Sequence, residues 1–191
     1  IDIAAEPLAA KSRLGFIPDR PFIYEKLTGI EFLRFVAGLY SQEGPAIERR
    51  SDELLEAFDL SEWRDELVES YSHGMRQKLS FASCFLHAPR VVIVDEPWVG
   101  LDPKNIRAVK DYLKRKTREE GLTVLMSTHT LSLAEEIADR IGIIHRGKLL
   151  CVGTVSEEKA SRMIRSNFSS SFSSSSRASP MMIRSGMPLP H

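Results

Sequence analysis

Long apolar runs are missing from this chain of 191 residues. None approaches the ~18 to 20 residues that a membrane-spanning helix requires. The opening Ile1-Asp2-Ile3 has neither the basic start nor the apolar core of a signal peptide. A protein of this kind that serves a membrane does so from outside the bilayer. Cysteine is scarce: Cys84 and Cys151 are the only two, with no CxxC spacing and no histidines at ligand intervals. Neither a zinc site nor a disulfide framework is indicated, and a reducing, cytosolic setting fits. Net charge is absent as well, since Lys and Arg total 26 and Asp and Glu total 26. The chain therefore lacks the basic footprint that grips a polyanion, which counts against nucleic acid as a partner.

What is present reads as one α/β domain with a tail. Thr28-Gly29-Ile30-Glu31 has the form of a capping box, so a helix starts there. Its Ile30, Phe32, Leu33, Phe35, Val36, Leu39 and Tyr40 are apolar almost all round, which predicts burial from several sides or contact with a partner. A second helical stretch runs from Ile47 to Phe58, and Trp63 closes the helical region. Ser72 can cap a further helix with apolar Leu79, Ala82, Phe85 and Leu86, stopped by Pro89. Val91-Val92-Ile93-Val94 is a β-branched run expected of a strand buried on both faces of a parallel sheet. Asp102 and Pro103 suit the N-cap and first position of a helix with Ile106, Val109, Tyr112 and Leu113 inside and Gly121 as its stop. Thr123 to Met126 is a second buried strand, and Ser132-Leu133-Ala134-Glu135 offers a capping box for a helix reaching Arg140. Ile141–His145 and Lys148–Val152 form a hairpin turning at Arg146-Gly147. From Ser166 to His191 serines dominate and no apolar period survives, so that tail is expected to stay disordered.

The strand at 91–94 ends in Asp95 and Glu96, at the sheet edge where open α/β folds place their ligands. In phosphoryl transfer the first acid can hold Mg²⁺ while the second orients and deprotonates an attacking water. An isolated Asp-Glu pair is as readily a loop cap and a hydrogen-bond acceptor. Here it stands in a fixed order with a Ser-x-Gly helix start upstream and Ser127-Thr128-His129 after the next strand.

That order resembles the ABC ATPases. Tyr71 to Lys78 is similar to the ABC signature, Val91 to Pro97 to the Walker B strand, Gly100-Leu101-Asp102 to the D-loop and Ser127-Thr128-His129 to the H-loop. The likeness runs from about Ile1 to about Thr154. It implies a P-loop NTPase-like ABC ATPase core with a partial parallel sheet and a helical signature subdomain. In chain order these are a core segment at 1–24, a helical subdomain at 25–88 and further core at 89–165, with the tail at 166–191. The resemblance also implies ATP and Mg²⁺ as cofactors, Glu96 as catalytic base, Asp95 as the magnesium-associated acid and His129 as the residue touching the γ-phosphate. Ser72, His73, Gly74 and Met75 would act in trans on ATP held by a second, like or unlike ATP-binding subunit. Asp102 would lie where the D-loop crosses that interface, and it can be an N-cap at the same time.

Several positions depart from the family pattern. His73 and Met75 replace the usual first glycine and glutamine of the signature, and Asp19 stands where the Q-loop glutamine is common. Asp19 is either a ligand for Mg²⁺ or its water, or a turn aspartate beside Pro18. Residues 15–29 together with Tyr71-Ser72-His73-Gly74 resemble the ABC-2-type exporter subset. No G-x-x-x-x-G-K-[ST] segment occurs; residues 142–149 match until Leu149, which has no hydroxyl for Mg²⁺ and lies in the hairpin. The sequence is thus expected to be N-terminally truncated, without Walker A, and unable to hydrolyse ATP alone. The function implied is the ATPase subunit of an ABC transporter, peripheral on the cytoplasmic membrane face beside a membrane-spanning subunit reached through residues 28–63. Alternatives are a catalytically silent remnant or regulator and a soluble ABC ATPase of DNA repair or translation. The last lacks its usual heptads and basic linker here.

Overall fold

A computed structural model describes residues 1–98, 100–154 and, as backbone, 179–184. Helix α1 (Pro7–Lys11) leads into strand β1 (Leu14–Ile17). Three helices follow, α2 (Gly29–Leu39), α3 (Pro45–Ala57) and α4 (His73–Cys84), with 3₁₀ turns at Ser61–Trp63 and Val68–Ser70. Strand β2 (Val91–Asp95), helix α5 (Pro103–Glu120), strand β3 (Thr123–Ser127) and helix α6 (Leu131–Ile137) come next. Strands β4 (Arg140–His145), β5 (Lys148–Thr154) and β6 (Ser179–Arg184) complete the order.

Local chemistry sets the helix ends. Thr28 and Glu31 exchange both bonds of the expected capping box, which satisfies two of the orphan amides at the start of α2. Ser72 accepts from Met75 N–H at the start of α4 and Asp102 from Asn105 N–H at the start of α5. Gly121 takes the left-handed conformation that ends α5. The expected cap at Ser132 is displaced. The Thr128 hydroxyl accepts from Thr130 N–H, and this turn starts α6 two residues early, with Thr130 at its cap. The helix ends at Ile137 rather than Arg140, because Arg140 already pairs with Thr154 in the sheet.

The sheet order is β1-β2-β3-β6-β4-β5. β1, β2 and β3 are mutually parallel, while β6 runs antiparallel to both β3 and β4 and the β4–β5 hairpin closes the sheet. The hairpin turns at Arg146 and Gly147, both at positive φ, the geometry of a tight turn matched to strand twist. Within the tail, the backbone at 179–184 pairs with β3 and β4; the rest of 166–191 lies outside the described residues.

Among the described residues the parallel strands are fully buried on one face and only partly covered on the other, where the sequence predicted burial on both. Val92, Val94, Val124 and Met126 are buried, whereas Phe16 and Val91 on the opposite face are 58% and 37% exposed. The covered face joins the helical region through an aromatic cluster in which Phe58, Phe81, Phe85 and Tyr112 link α3, α4 and α5. On α2, Ile30, Phe32, Leu33 and Ala37 face this core, while Phe35 and Leu39 stay outside.

Candidate functional site

Parallel strands end at a common edge, and the registers Ile17↔Val94 and Asp95↔Ser127 align the three loops that matter. Asp19 lies two residues beyond β1, Asp95 is the last residue of β2, and His129 is two residues beyond β3. The Ser127 hydroxyl donates to one oxygen of Asp95. The Glu96 amide donates to the Ser127 carbonyl at 3.1 Å, which continues the ladder one residue past the strand. Glu96 then takes a positive φ of 44°, a conformation that costs a non-glycine residue energy and that clusters at working sites. This turn aims its side chain at His129, whose Nδ1 lies 2.8 Å from Glu96 Oε2. The Glu96 side chain is largely covered and that of His129 largely open to solvent. The fully buried Thr128 braces the histidine loop through its bond to Thr130.

The residues at the start of α4 pack against the turn at Gly100. The His73 imidazole lies directly against Gly100, where a Cβ would overlap it, and Gly100 itself has a φ of +80°. A Cβ on Gly74 would sit 3.3 Å from the Gly100 carbonyl. The signature-like turn and the D-loop-like turn are therefore interlocked within one chain. Both oxygens of Asp102 are occupied by Asn105, through its amide nitrogen and its side-chain Nδ2, at 2.8 and 2.9 Å. Asp102 is an N-cap here. Met75 is partly buried against the core. Arg76, on the same turn, bonds Glu25 and the Glu69 carbonyl.

The donor set suits magnesium better than metals that need a protein cage. No group of three or more His, Cys, Asp or Glu residues able to hold a metal comes together among the described residues. Mg²⁺ commonly takes one or two carboxylates and fills its octahedron with water and phosphate oxygens. Asp95, steadied by Ser127, fits that pattern, with the exposed Asp19 at the same edge.

Residues 4–99 match the ABC transporter family. The chain belongs to it. This ABC family member is 39% identical over 160 residues to the uncharacterized ABC transporter ATP-binding protein YhcH of Bacillus subtilis, covering 82% of the chain and 50% of that relative. It is 34% identical over 160 residues to the daunorubicin/doxorubicin resistance ATP-binding protein DrrA of Streptomyces peucetius, covering 84% of the chain and 48% of the relative. The chain spans about half the length of the curated relatives it matches. A solved ATP-binding subunit of an ABC transporter superimposes with a TM-score of 0.78 at 30% identity, over 91% of this chain and 74% of that one. A dimeric ATP-binding cassette bound to ADP and Pi shares the fold, with a TM-score of 0.72 at 21% identity over 82% of this chain and 69% of that one. The ABC ATPase fold expected from the motifs is the fold observed.

Two contacts had no direct signal in the sequence. Ser127 supports Asp95 across the β2–β3 register, and His73 packs on Gly100. The first follows only once the strands are paired. The second joins residues far apart in the chain, and the glycine alone hinted at it.

Proposed function

We propose that the chain forms part of an ATP-binding subunit that powers an ABC transporter. It works from the cytoplasmic membrane face, beside a membrane-spanning subunit and a second ATP-binding subunit, like or unlike. The observation that carries this reading is the Glu96–His129 pair at the edge shared by β2 and β3, next to Asp95. Glu96 takes the proton of the attacking water, and His129 orients that carboxylate and contacts the terminal phosphate. Asp95 would hold Mg²⁺ directly or through water, with Asp19 as a further oxygen donor, and the ion would supply charge neutralisation at the phosphates. Ser72, His73, Gly74 and Met75 present the N-terminus of α4 to a partner's triphosphate, where the first-turn amides not capped by Ser72 favour an anion. Asp102 holds the turn that crosses between the subunits.

Docking on a membrane subunit is supported by the apolar side chains left outside around α2. Phe22 is 98% exposed and Leu39 69%, and Tyr24 packs edge-on against Phe35. Isolated exposed hydrophobics are ordinary, but a group of them fits a partner surface. No described helix is long and apolar enough to cross a membrane itself.

A second reading, a silent regulator that dimerises without hydrolysing, is favoured by the lack of a G-x-x-x-x-G-K-[ST] segment in these 191 residues. One experiment addresses both. The chain is mixed with a P-loop-bearing ABC subunit, and association is followed by light scattering with and without Mg·ATP. Nucleotide-dependent association weakened by Ser72→Ala is expected; association indifferent to ATP would remove the proposed trans contact. Turnover in the mixture that responds to Glu96→Gln favours the energising role, and association without it favours the regulator.

A further inference from the structure

The edge of the sheet opposite the carboxylates is built from two links. Residues 85–90 join α4 to β2, and residues 121–122 join α5 to β3. Their backbones are fastened together. Thr123 N–H donates to the Arg90 carbonyl at 3.0 Å, and the amides of Arg90 and Val91 both donate to the Arg13 carbonyl. Gly121 turns left-handed at the end of α5, and Leu122 N–H returns to the Lys116 carbonyl, which closes the helix end on itself. Between these links and α3 lies a cavity of about 430 Å³, within the ~300 to 1,000 Å³ of small-molecule sites. Phe85 lines it and packs edge-on against Tyr112 of α5 at 5.0 Å, so the cavity belongs to the helix-bearing side of the sheet.

The floor of this cavity is apolar. Phe85 and Leu122 are only 2% and 3% exposed, and Pro89 is buried with them. The charged lining is unbalanced: Arg50, Arg90 and Lys116 are set against a single acid, Glu120. Lys116 and Glu120 form an ion pair one helical turn apart, with the lysine Nζ also 5.5 Å from the centre of the Tyr112 ring. That pair uses one positive charge and leaves two guanidiniums. Arg50 makes only long contacts, 3.4 Å to Glu53 and 3.5 Å to the Phe85 carbonyl. The exposed Arg90 side chain makes no hydrogen bond or ion pair among the described residues. A guanidinium keeps its charge and presents a planar fork of donors matched to a carboxylate. Beside Phe85, the Tyr112 hydroxyl is buried without a hydrogen-bond partner, in the field of Arg50 and Glu120. Uncommitted cations over an apolar floor suit an anion that carries a hydrocarbon body, and the volume is far more than a bare inorganic ion fills.

We propose that this cavity binds a small organic carboxylate. Arg50 and Arg90 take the carboxylate, and the apolar body lies on Phe85, Pro89 and Leu122. The two strands that start here reach Asp95 and Ser127 about 13 Å away, from the strand rise. The site is therefore separate from the edge that carries the carboxylates, and the inference does not depend on the proposed transport role.

Three compounds titrated into the full chain test it, read by amide NMR: hydrocinnamate, its neutral analogue hydrocinnamyl alcohol, and inorganic phosphate. Saturable shifts around residues 88–91 and 120–123 are expected with hydrocinnamate, and the alcohol and phosphate should each bind at least about ten-fold more weakly. Arg50→Gln and Arg90→Gln should each weaken hydrocinnamate binding by about ten-fold or more. Arg90 has no side-chain partner among the described residues to lose, so its variant decides alone if Arg50→Gln fails to fold. Absence of a saturable shift, alcohol or phosphate bound as tightly as hydrocinnamate, or undiminished affinity in Arg90→Gln overturns the proposal. The same titration on a fusion carrying the phosphate-binding segment of an intact relative ahead of Ile1 should give the same shifts. Their loss there would mean that the added segment occupies the cavity, and would overturn the proposal equally.

Discussion

The Glu96 carboxylate meets the His129 imidazole at 2.8 Å across the ends of two adjacent parallel strands. The contact depends on the left-handed turn at Glu96 and on the buried Thr128 under the histidine loop. Both residues are held before any ligand arrives, which lowers the reorganisation needed during reaction.

The 191-residue polypeptide alone should show no ATP turnover above background, because the backbone cradle and lysine that grip the β- and γ-phosphates are not in it. Phosphate release over a range of Mg·ATP checks this. Hydrolysis by the isolated chain that Glu96→Gln abolishes would contradict it.

In a fusion that supplies a phosphate-binding segment from an intact relative, Glu96→Gln should lower turnover by ~10²-fold or more, the scale of losing a general base. His129→Ala should also lower turnover, since the carboxylate loses its orienting partner. Steady-state rates at saturating ATP decide; retained turnover in Glu96→Gln removes that residue from the role of base.

Gly100→Ala should destabilise the fold through two separable effects. The left-handed backbone costs an alanine about 1 to 2 kcal/mol, and the new methyl meets the His73 ring. His73→Ala should relieve only the second, so the double variant recovers part of the loss. Urea midpoints of the three variants measure the split, and equal losses in single and double variants would show that the ring contact carries no energy.

His87 predicts acid sensitivity. It stacks on Tyr40 at 3.8 Å between ring centres and hydrogen-bonds the Leu14 carbonyl through Nε2. Burial is the main reason its pKa falls below the usual 6.5, and the bond to Leu14 opposes the shift. The unfolded chain then binds a proton at higher pH than the folded chain. Stability from the neutral ring is complete above about 6.5 and declines as pH drops from there toward the depressed folded value. Thermal melts from pH 7.5 to 5 should show a drop that His87→Gln reduces; equal slopes would assign the acid loss to other groups.

Much of this was legible in the sequence where the determinants are local. Thr28 with Glu31, Ser72, Asp102 and Gly121 each act within one helical turn, and each stands where its residue type predicted. The Glu96–His129 pair was legible only through the order of motifs, since a long stretch of chain separates the two and no periodicity links them. Strand β6 was invisible, because a short apolar segment in a serine-rich tail carries no pattern until β3 and β4 offer two edges. The covering of β2 was legible in part: Val91–Val94 shows its residue types, but what lies over each face is set by other parts of the molecule, and among the described residues one face is covered more fully than the other.

The clamp on Arg76 has a mechanical meaning. Its guanidinium grips Glu25, past β1, and the Glu69 carbonyl just ahead of α4, while Lys26 holds the Glu69 side chain. The chain leaving the first strand and the tip of the fourth helix are thus tied like two rungs to one rail. A displacement of residues 25–26 therefore bears on the start of that helix, beside Ser72, through these contacts.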